Sequence, residues 1–397
     1  MVRALLFLAV GLSVGIPAGA QPCVAGRSGE FPCNRVGGLS FVPLTALGAG
    51  GSRANDLWGW THRPSGREFV LLGLGNGTAF VEVTNPTAPR FVGHLAAHGA
   101  SSPWRDIKVY KDHAYVVSEA PDHGMQILGL QALVDASGPP AAFEETIHFV
   151  GEGLSYAHNI AINEESGFAY VVGSNLCNGG LVMLNIDRPR RPQAAGCFSS
   201  DGYTHDVQCV SYRGPDPDYS GREVCFAFNE DTVTIVDVSD KAHPRQVSRT
   251  SYPGVGYTHQ GWLTEDHLFL LMGDELDEEN FGHRTLTRIW DVSNLDRPVL
   301  IGEHRAATHA IDHNMYVRDG LAYQANYRAG LRIFDLAEVA SGRLVPFGFF
   351  DIFPADDASE FDGAWSVYPF FPSGVVALGS IERGLFILDP RFGPPSP

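Results

Sequence analysis

Beyond its first twenty residues the chain has no apolar run approaching the roughly 20 residues that a membrane helix needs, so no spanning helix is expected. Basic residues are few: 28 Lys and Arg stand against 45 Asp and Glu, a formal charge of −17. That balance repels nucleic acid and anionic membrane surfaces and favours cations. Beyond its first twenty residues the chain contains no Gly-x-Ser-x-Gly elbow, no phosphate-binding Gly-rich loop ending in Lys and no His-Glu-x-x-His pair. Serine nucleophiles, P-loop chemistry and zincin-type hydrolysis therefore have no visible support. Uninterrupted helical periods are scarce too. In their place stand 45 Gly, 26 Pro and abundant Val, Phe and Tyr, the composition of many short strands separated by turns.

The first segment, MVRALLFLAVGLSVGIPAGA, has one early charge (Arg3), a short apolar run and small residues at Ala18, Gly19 and Ala20. This pattern predicts a secretory signal over 1–20 and an extracellular or periplasmic protein. The six cysteines then fall in an oxidising compartment as near neighbours: Cys23 with Cys33, Cys177 with Cys197, Cys209 with Cys225. Three local disulfides are expected. Their spacing alone leaves the connectivity open and does not match a zinc ribbon.

One phrase recurs through the chain: AFVEVTNPTAP from Ala79, LVMLNIDRPRRP from Leu181, VTIVDVSDKAHP from Val233, TRIWDVSNLDRP from Thr287, LRIFDLAEV from Leu331 and LFILDP from Leu385, with MQILGLQAL from Met125 as a worn copy. Each reads as a strand of alternating apolar residues closed by Asp or its substitute and a Ser/Asn/Pro turn. Two strand-like runs precede each copy and one follows. Units of this kind, about fifty residues each, cannot bury both faces alone and stack radially. The fold expected is all-β: a seven-bladed β-propeller of four-stranded antiparallel blades over 57–390, between an N-terminal segment at 21–56 and a tail at 391–397. The seventh unit lacks a fourth strand, and LSFVPLTALG from Leu39 can supply it, closing the ring and removing a bare edge. Cys23–Cys33 would tether the segment just before that strand.

The VTIVDVSD-type repeats, WRDIKVYKDHAYVVSEAPDHGMQI from Trp104, GYTHQGWLTEDHLFLLMGDELDE from Gly256 and QANYRAGLRIFD from Gln324 resemble those of LVIVD-repeat proteins. The mature chain is similar to the bacterial choice-of-anchor B family. That resemblance implies an exported propeller-like domain joined to varied surface anchors, and it brings no established reaction. The closing residues, RFGPPSP, carry no sorting motif, so the anchor is expected to be absent.

Aligning blade starts places Leu57, Arg105, His158, His205, His259, His313 and Ala364 at one position, the start of the innermost strand beside the axis. Four neutral imidazoles around a channel suit a transition metal such as zinc, copper or iron. His158, His205, His259 and His313 are therefore the expected metal ligands. The rival reading is a set of histidines that bond within their own blades. His309 is expected in the preceding loop. Asp206 and Asp312 adjoin two of the histidines as candidates to orient them.

The loops joining second and third strands should reach the same face, so Arg105, Glu119, Glu230, Asp274, Glu275, Arg328 and Glu382 are expected to rim a pocket for a polar ligand. Arg105 would take an anionic group or pair with Glu119. Trp58, Trp262 and Trp365 would wall the pocket or pack between blades. The acidic insert from Asp274 to Glu279 admits calcium, although its spacing is not an EF-hand. The reading that follows is a monomer binding a small molecule or an extracellular protein, with a metal at the histidines. A metal-dependent hydrolase or oxidoreductase on the same cluster is the alternative, and a surface interaction module with structural histidines is the third.

Overall fold

The computed structural model describes residues 20–391, so the signal expected over 1–20 and the RFGPPSP tail lie almost wholly outside the described residues. Seven antiparallel sheets form a seven-bladed β-propeller. The innermost strands, Ala54–His62, Arg105–Tyr110, Asn159–Asn163, Asp206–Ser211, Thr258–Leu263, Met315–Arg318 and Ala364–Tyr368, neighbour one another in a closed circle. The second strands are apolar almost throughout, as in Phe69–Leu72 and Val224–Phe228, all fully buried. Each blade is covered on both sides, and strands buried on both faces read as continuous apolar runs.

The repeated phrase is the third strand, and its Asp has a local task. Asp237 accepts a hydrogen bond from the Ser239 amide at 3.0 Å, and Asp291, Asp335 and Asp389 do the same two residues on, each at 2.8 Å. In blades four, five and six these Asx turns reverse the chain into the fourth strand, and in blade seven, whose fourth strand is supplied from the N-terminal segment, the turn only closes the third. In the worn copy Gly129 stands in that slot. There the chain departs into a short helix, Gln131–Asp135, and an extra strand, Ala141–Phe143, which pairs in parallel with blade one.

Opposite each third strand the fourth strand bulges, in blades one and three to seven. The residue at the bulge meets the chain packed outside it, the next blade in four cases, the extra strand Ala141–Phe143 in blade one and the N-terminal segment in blade six. It is Gly or Ser in every case: Gly93, Gly196, Ser248, Gly302, Gly348 and Ser40. A side chain on Gly196 would collide with the Lys241 carbonyl, and one on Gly302 with Gly342. Ser248 and Ser40 instead donate to Leu295 O and Pro86 O, each at 2.6 Å.

Closure occurs as the repeat count requires. Gly37–Pro43 pairs antiparallel with Gly384–Asp389 as the fourth strand of blade seven, and Leu39 and Val42 enter the core shared by blades seven and one. Three disulfides are formed, Cys23–Cys33, Cys177–Cys197 and Cys209–Cys225. The strand carrying Cys33 lies just before the closing strand and pairs with blade six. No helix among the described residues is long and apolar enough to cross a membrane.

Candidate metal and ligand site at the propeller axis

The start of each inner strand brings residues distant in sequence to the axis. Rings of His158 and His205 lie 4.3 Å apart between centroids, His205 and His259 4.2 Å, and His259 and His313 4.4 Å. Four imidazoles from four successive blades thus form one arc. Trp104, Arg105 and Trp365 line the same small cavity.

Strand pairing corrects two members of the ring. Leu57 pairs with Leu72 and Leu72 with Ala79, while Val207 pairs with Ala227 and Ala227 with Thr234. Ala79 and Thr234 both precede the bulged position, so Leu57 is equivalent to Val207, and Asn55 to His205. By the same reasoning Trp365 replaces Ala364. The ring at this level is Asn55, Arg105, His158, His205, His259, His313 and Trp365. Leu57 and Ala364 are core residues.

The hydrogen bonds fix which ring nitrogens are free. His205 Nδ1 donates to the main-chain oxygen of His259 at 3.0 Å, and His313 Nδ1 donates to that of Trp365. A carbonyl can only accept, so Nδ1 carries the proton and Nε2 keeps its lone pair. Burial, reinforced by neighbouring imidazoles, holds the His205 and His259 pKa values well below the usual imidazole value. Burial lowers that of His313 to about 3. All three rings are therefore neutral at neutral pH, the form that ligates metals. His259 Nδ1 is buried without a partner.

Glu275 completes the cluster. Its Oε2 lies 3.6 Å from His259 Nε2 and its Oε1 3.5 Å from His313 Nε2. Ligand atoms of His205, His259 and Glu275 all lie within 4.8 Å of one another. Burial pushes the Glu275 carboxyl up to about 7, partly offset by the Tyr327 hydroxyl. His158 donates through Nδ1 to Glu119 Oε1 at 2.6 Å.

Arg105 does not pair with Glu119. Its Nη1 donates to His123 Nε2 at 2.8 Å and its Nε to Leu74 O at 3.2 Å, while Nη2 is buried without a partner. Neither partner is an anion, and burial lowers the guanidinium to about 10. Burial and the Arg105 charge in turn hold His123 near 4.

Most of the other expected pocket residues tie neighbouring loops together. Asp274 turns inward to accept from Tyr252 Oη, Gly256 N and Tyr257 N at 2.7, 2.8 and 2.6 Å. Arg328 pairs with Asp356 and Asp362 at 2.8 and 3.0 Å, and Glu382 holds Gly363 N at 2.9 Å. Glu230 is exposed and bridges to Thr258 through its backbone. His309 is exposed in the preceding loop. Trp365 touches His313, with 4.9 Å between centroids.

Trp58 and Trp262 belong to the opposite end of the channel. There, with Tyr316, Tyr368 and Phe370, they line a cavity of about 450 Å³. Between the two ends Lys108 bonds Asp106 at 2.6 Å and lies 3.6 Å from Asp56. Asp206 sits in this layer, its carboxyl raised to about 7 by burial and by Asp106. It does not orient a histidine. The residues that inspection of the sequence missed are Asn55, His123 and Tyr327. The repeated register, once counted from the bulge, identifies the first.

The VTIVD strand of blade four lies within residues 220–251, which match the LVIVD repeat family. The chain carries an LVIVD repeat. That match and the seven-bladed ring fit the resemblance to LVIVD and choice-of-anchor B propellers. No curated protein matches the sequence. Among solved structures, the β-propeller domain of Cps50 (Swd1) from Myceliophteria thermophila is 12% identical, over 81% of this chain and 92% of that chain, with a TM-score of 0.50. A protein from Lactobacillus plantarum is 15% identical over 83% and 89%, with a TM-score of 0.52. A functionally unknown protein from Desulfotomaculum acetoxidans DSM 771 is 12% identical over 77% and 87%, with a TM-score of 0.50. At these identities the LVIVD-repeat chain shares their fold alone.

Proposed function

We propose that this propeller binds a transition-metal ion at its axis and uses it, with Arg105, to hold an anionic small molecule. The observation that carries the reading is the joint state of three imidazoles. His205 and His313 spend Nδ1 on main-chain carbonyls, and the Nε2 atoms of His259 and His313 face one carboxylate, that of Glu275. A ligating histidine is ordinarily oriented in this way through its second nitrogen. Neutral imidazole with one carboxylate is a donor set for zinc, copper or iron. His158, tied to Glu119, stands at the edge of the arc as a fourth donor.

Arg105 lines the same cavity with an unpartnered Nη2, which suits the carboxylate or phosphate of a ligand completing the metal's coordination. The three disulfides point to an oxidising environment. Together with the secretory signal proposed for 1–20, they support the reading of an exported binding protein.

Elemental analysis of untagged protein tests the reading. Near-stoichiometric metal, lost in His205→Ala/His259→Ala while the fold is retained by circular dichroism, is the expected result. Protein free of metal that takes up neither zinc, copper nor iron on titration would leave the histidines as structural supports, the interaction-module alternative.

A further inference from the structure

A second, chemically different cluster lies behind the imidazole pocket. Asp274, Asp277, Glu278 and Asp312 are all at most 1% exposed, and the one guanidinium among them, Arg288, is equally buried. Asp274 is satisfied by two main-chain amides and Tyr252. The other three are not. Asp277 Oδ1 and Oδ2, Glu278 Oε2 and both oxygens of Asp312 accept no hydrogen bond. Of these five atoms only Asp277 Oδ2 faces a buried cation, standing 2.7 Å from Arg288 Nη1. His283, partly exposed, has Nε2 3.8 Å from the same oxygen, and ligand atoms of Asp277, Glu278 and His283 all lie within 4.8 Å of one another. Asp312 arrives from the loop before blade six and packs against Gly273, its charge acting on both Glu278 and Asp277.

Three carboxyl groups sharing one guanidinium out of water are costly to ionise, because a buried anion without hydrogen bonds and countercharge has nothing to offset its desolvation. We infer that Asp277, Glu278 and Asp312 form a binding site for a hard divalent cation, with calcium as its occupant. Calcium takes six to eight oxygens at flexible geometry and accepts bidentate carboxylates, whereas magnesium retains most of its water and uses one or two. Four carboxylate oxygens with neither a hydrogen bond nor a cation, on three side chains, suit the former. The Asp277–Phe281 helix follows closely on Glu275, so a bound ion would fix the segment that presents Glu275 to the histidines.

The test uses the full chain, stripped with EGTA and titrated with Ca²⁺ by calorimetry and thermal unfolding. The expected result is binding near one equivalent, with a midpoint rise of about 3 °C at a hundredfold excess over Kd. Asp312→Asn and Glu278→Gln should abolish the rise and, by relieving repulsion, melt higher than the stripped parent. His205→Ala/His259→Ala should keep it, which separates this site from the imidazole pocket. Absence of both heat and midpoint shift overturns the inference. So does a calcium response that survives in Asp312→Asn and Glu278→Gln, or one abolished by His283→Ala or by the double histidine variant. If Asp312→Asn does not fold, Glu278→Gln decides.

Discussion

The Tyr327 hydroxyl donates to Glu275 Oε1 at 2.6 Å. Tyr327 also packs edge-on against His313, with 4.9 Å between centroids, so one residue positions both the carboxylate and an imidazole of the proposed metal site. Tyr327→Phe keeps the packing and removes only the bond that aims Glu275. Metal affinity should fall about tenfold, the lower end of the range for residues that orient ligands, with little change in thermal midpoint. Competition with a chromophoric chelator measures the first and calorimetry the second. Equal affinity in the two proteins would remove Glu275 from the ligand set.

Arg105 makes a contrasting prediction, because its charge is buried without an anionic partner. A buried ion that lacks a counterion is replaced by an apolar side chain of similar volume with little loss, or with a gain. Arg105→Met should therefore unfold within about 1 kcal/mol of the parent. Phosphate should raise the midpoint of the parent and leave that of Arg105→Met unmoved. A large destabilisation with no phosphate effect in either protein would make Arg105 a structural residue, held by His123 and Leu74.

Ring closure was legible in the chain because a seventh repeat with three strands and an orphan strand near Leu39 have one economical solution. The histidine arc was legible for a related reason: a constant position in a repeat becomes a ring when the repeats close. What escaped was local. The inner strands of blades one, five and seven carry register shifts beside Leu57, His259 and Trp365. Counting residues from apolar patterns alone therefore misplaced Leu57 and Ala364. Loop carboxylates escaped for another reason. Asp274 and Glu275 are adjacent and chemically alike, yet one turns back to three donors in the segment leading into blade five and the other faces the axis. Backbone geometry within the loop decides this, and strand periodicity carries no information about it.

The bulge position yields a stability prediction spanning two blades. At Gly196 a Cβ would run into the Lys241 carbonyl of the next blade, and backbone cannot yield as a flexible side chain would. Gly196→Ala should cost about 2 kcal/mol or more through strain. At the equivalent place in blade four, Ser248→Ala forfeits one hydrogen bond to Leu295 O, about 1 kcal/mol. Urea denaturation of both variants checks the order. Should Gly196→Ala prove the milder change, close blade contact at the bulge is not what restricts this position to Gly and Ser.

Blade one has Glu82 where blades four to seven carry Asp, and Glu82 is held by two arginines instead of capping a turn. Arg67 Nε and Nη2 donate to its two oxygens at 2.8 and 2.9 Å, and Arg90 Nη2 donates at 2.9 Å. These bonds, that of Arg67 foremost, lower its pKa from 4.5 to about 2. A carboxyl whose pKa is depressed by folding binds protons more readily when unfolded, so stability rises with pH between the two values. The contribution of Glu82 is fully present above about pH 4.5 and is lost as the pH falls through about 2. Glu82→Gln, which cannot ionise, should be less stable than the parent by a constant margin from pH 5 to 7, and that margin should close as the pH falls from 4.5 to 2. Denaturant midpoints measured across this range decide the matter. A margin independent of pH would assign the role of Glu82 to packing and neutral hydrogen bonding, with the two guanidinium charges contributing nothing through it.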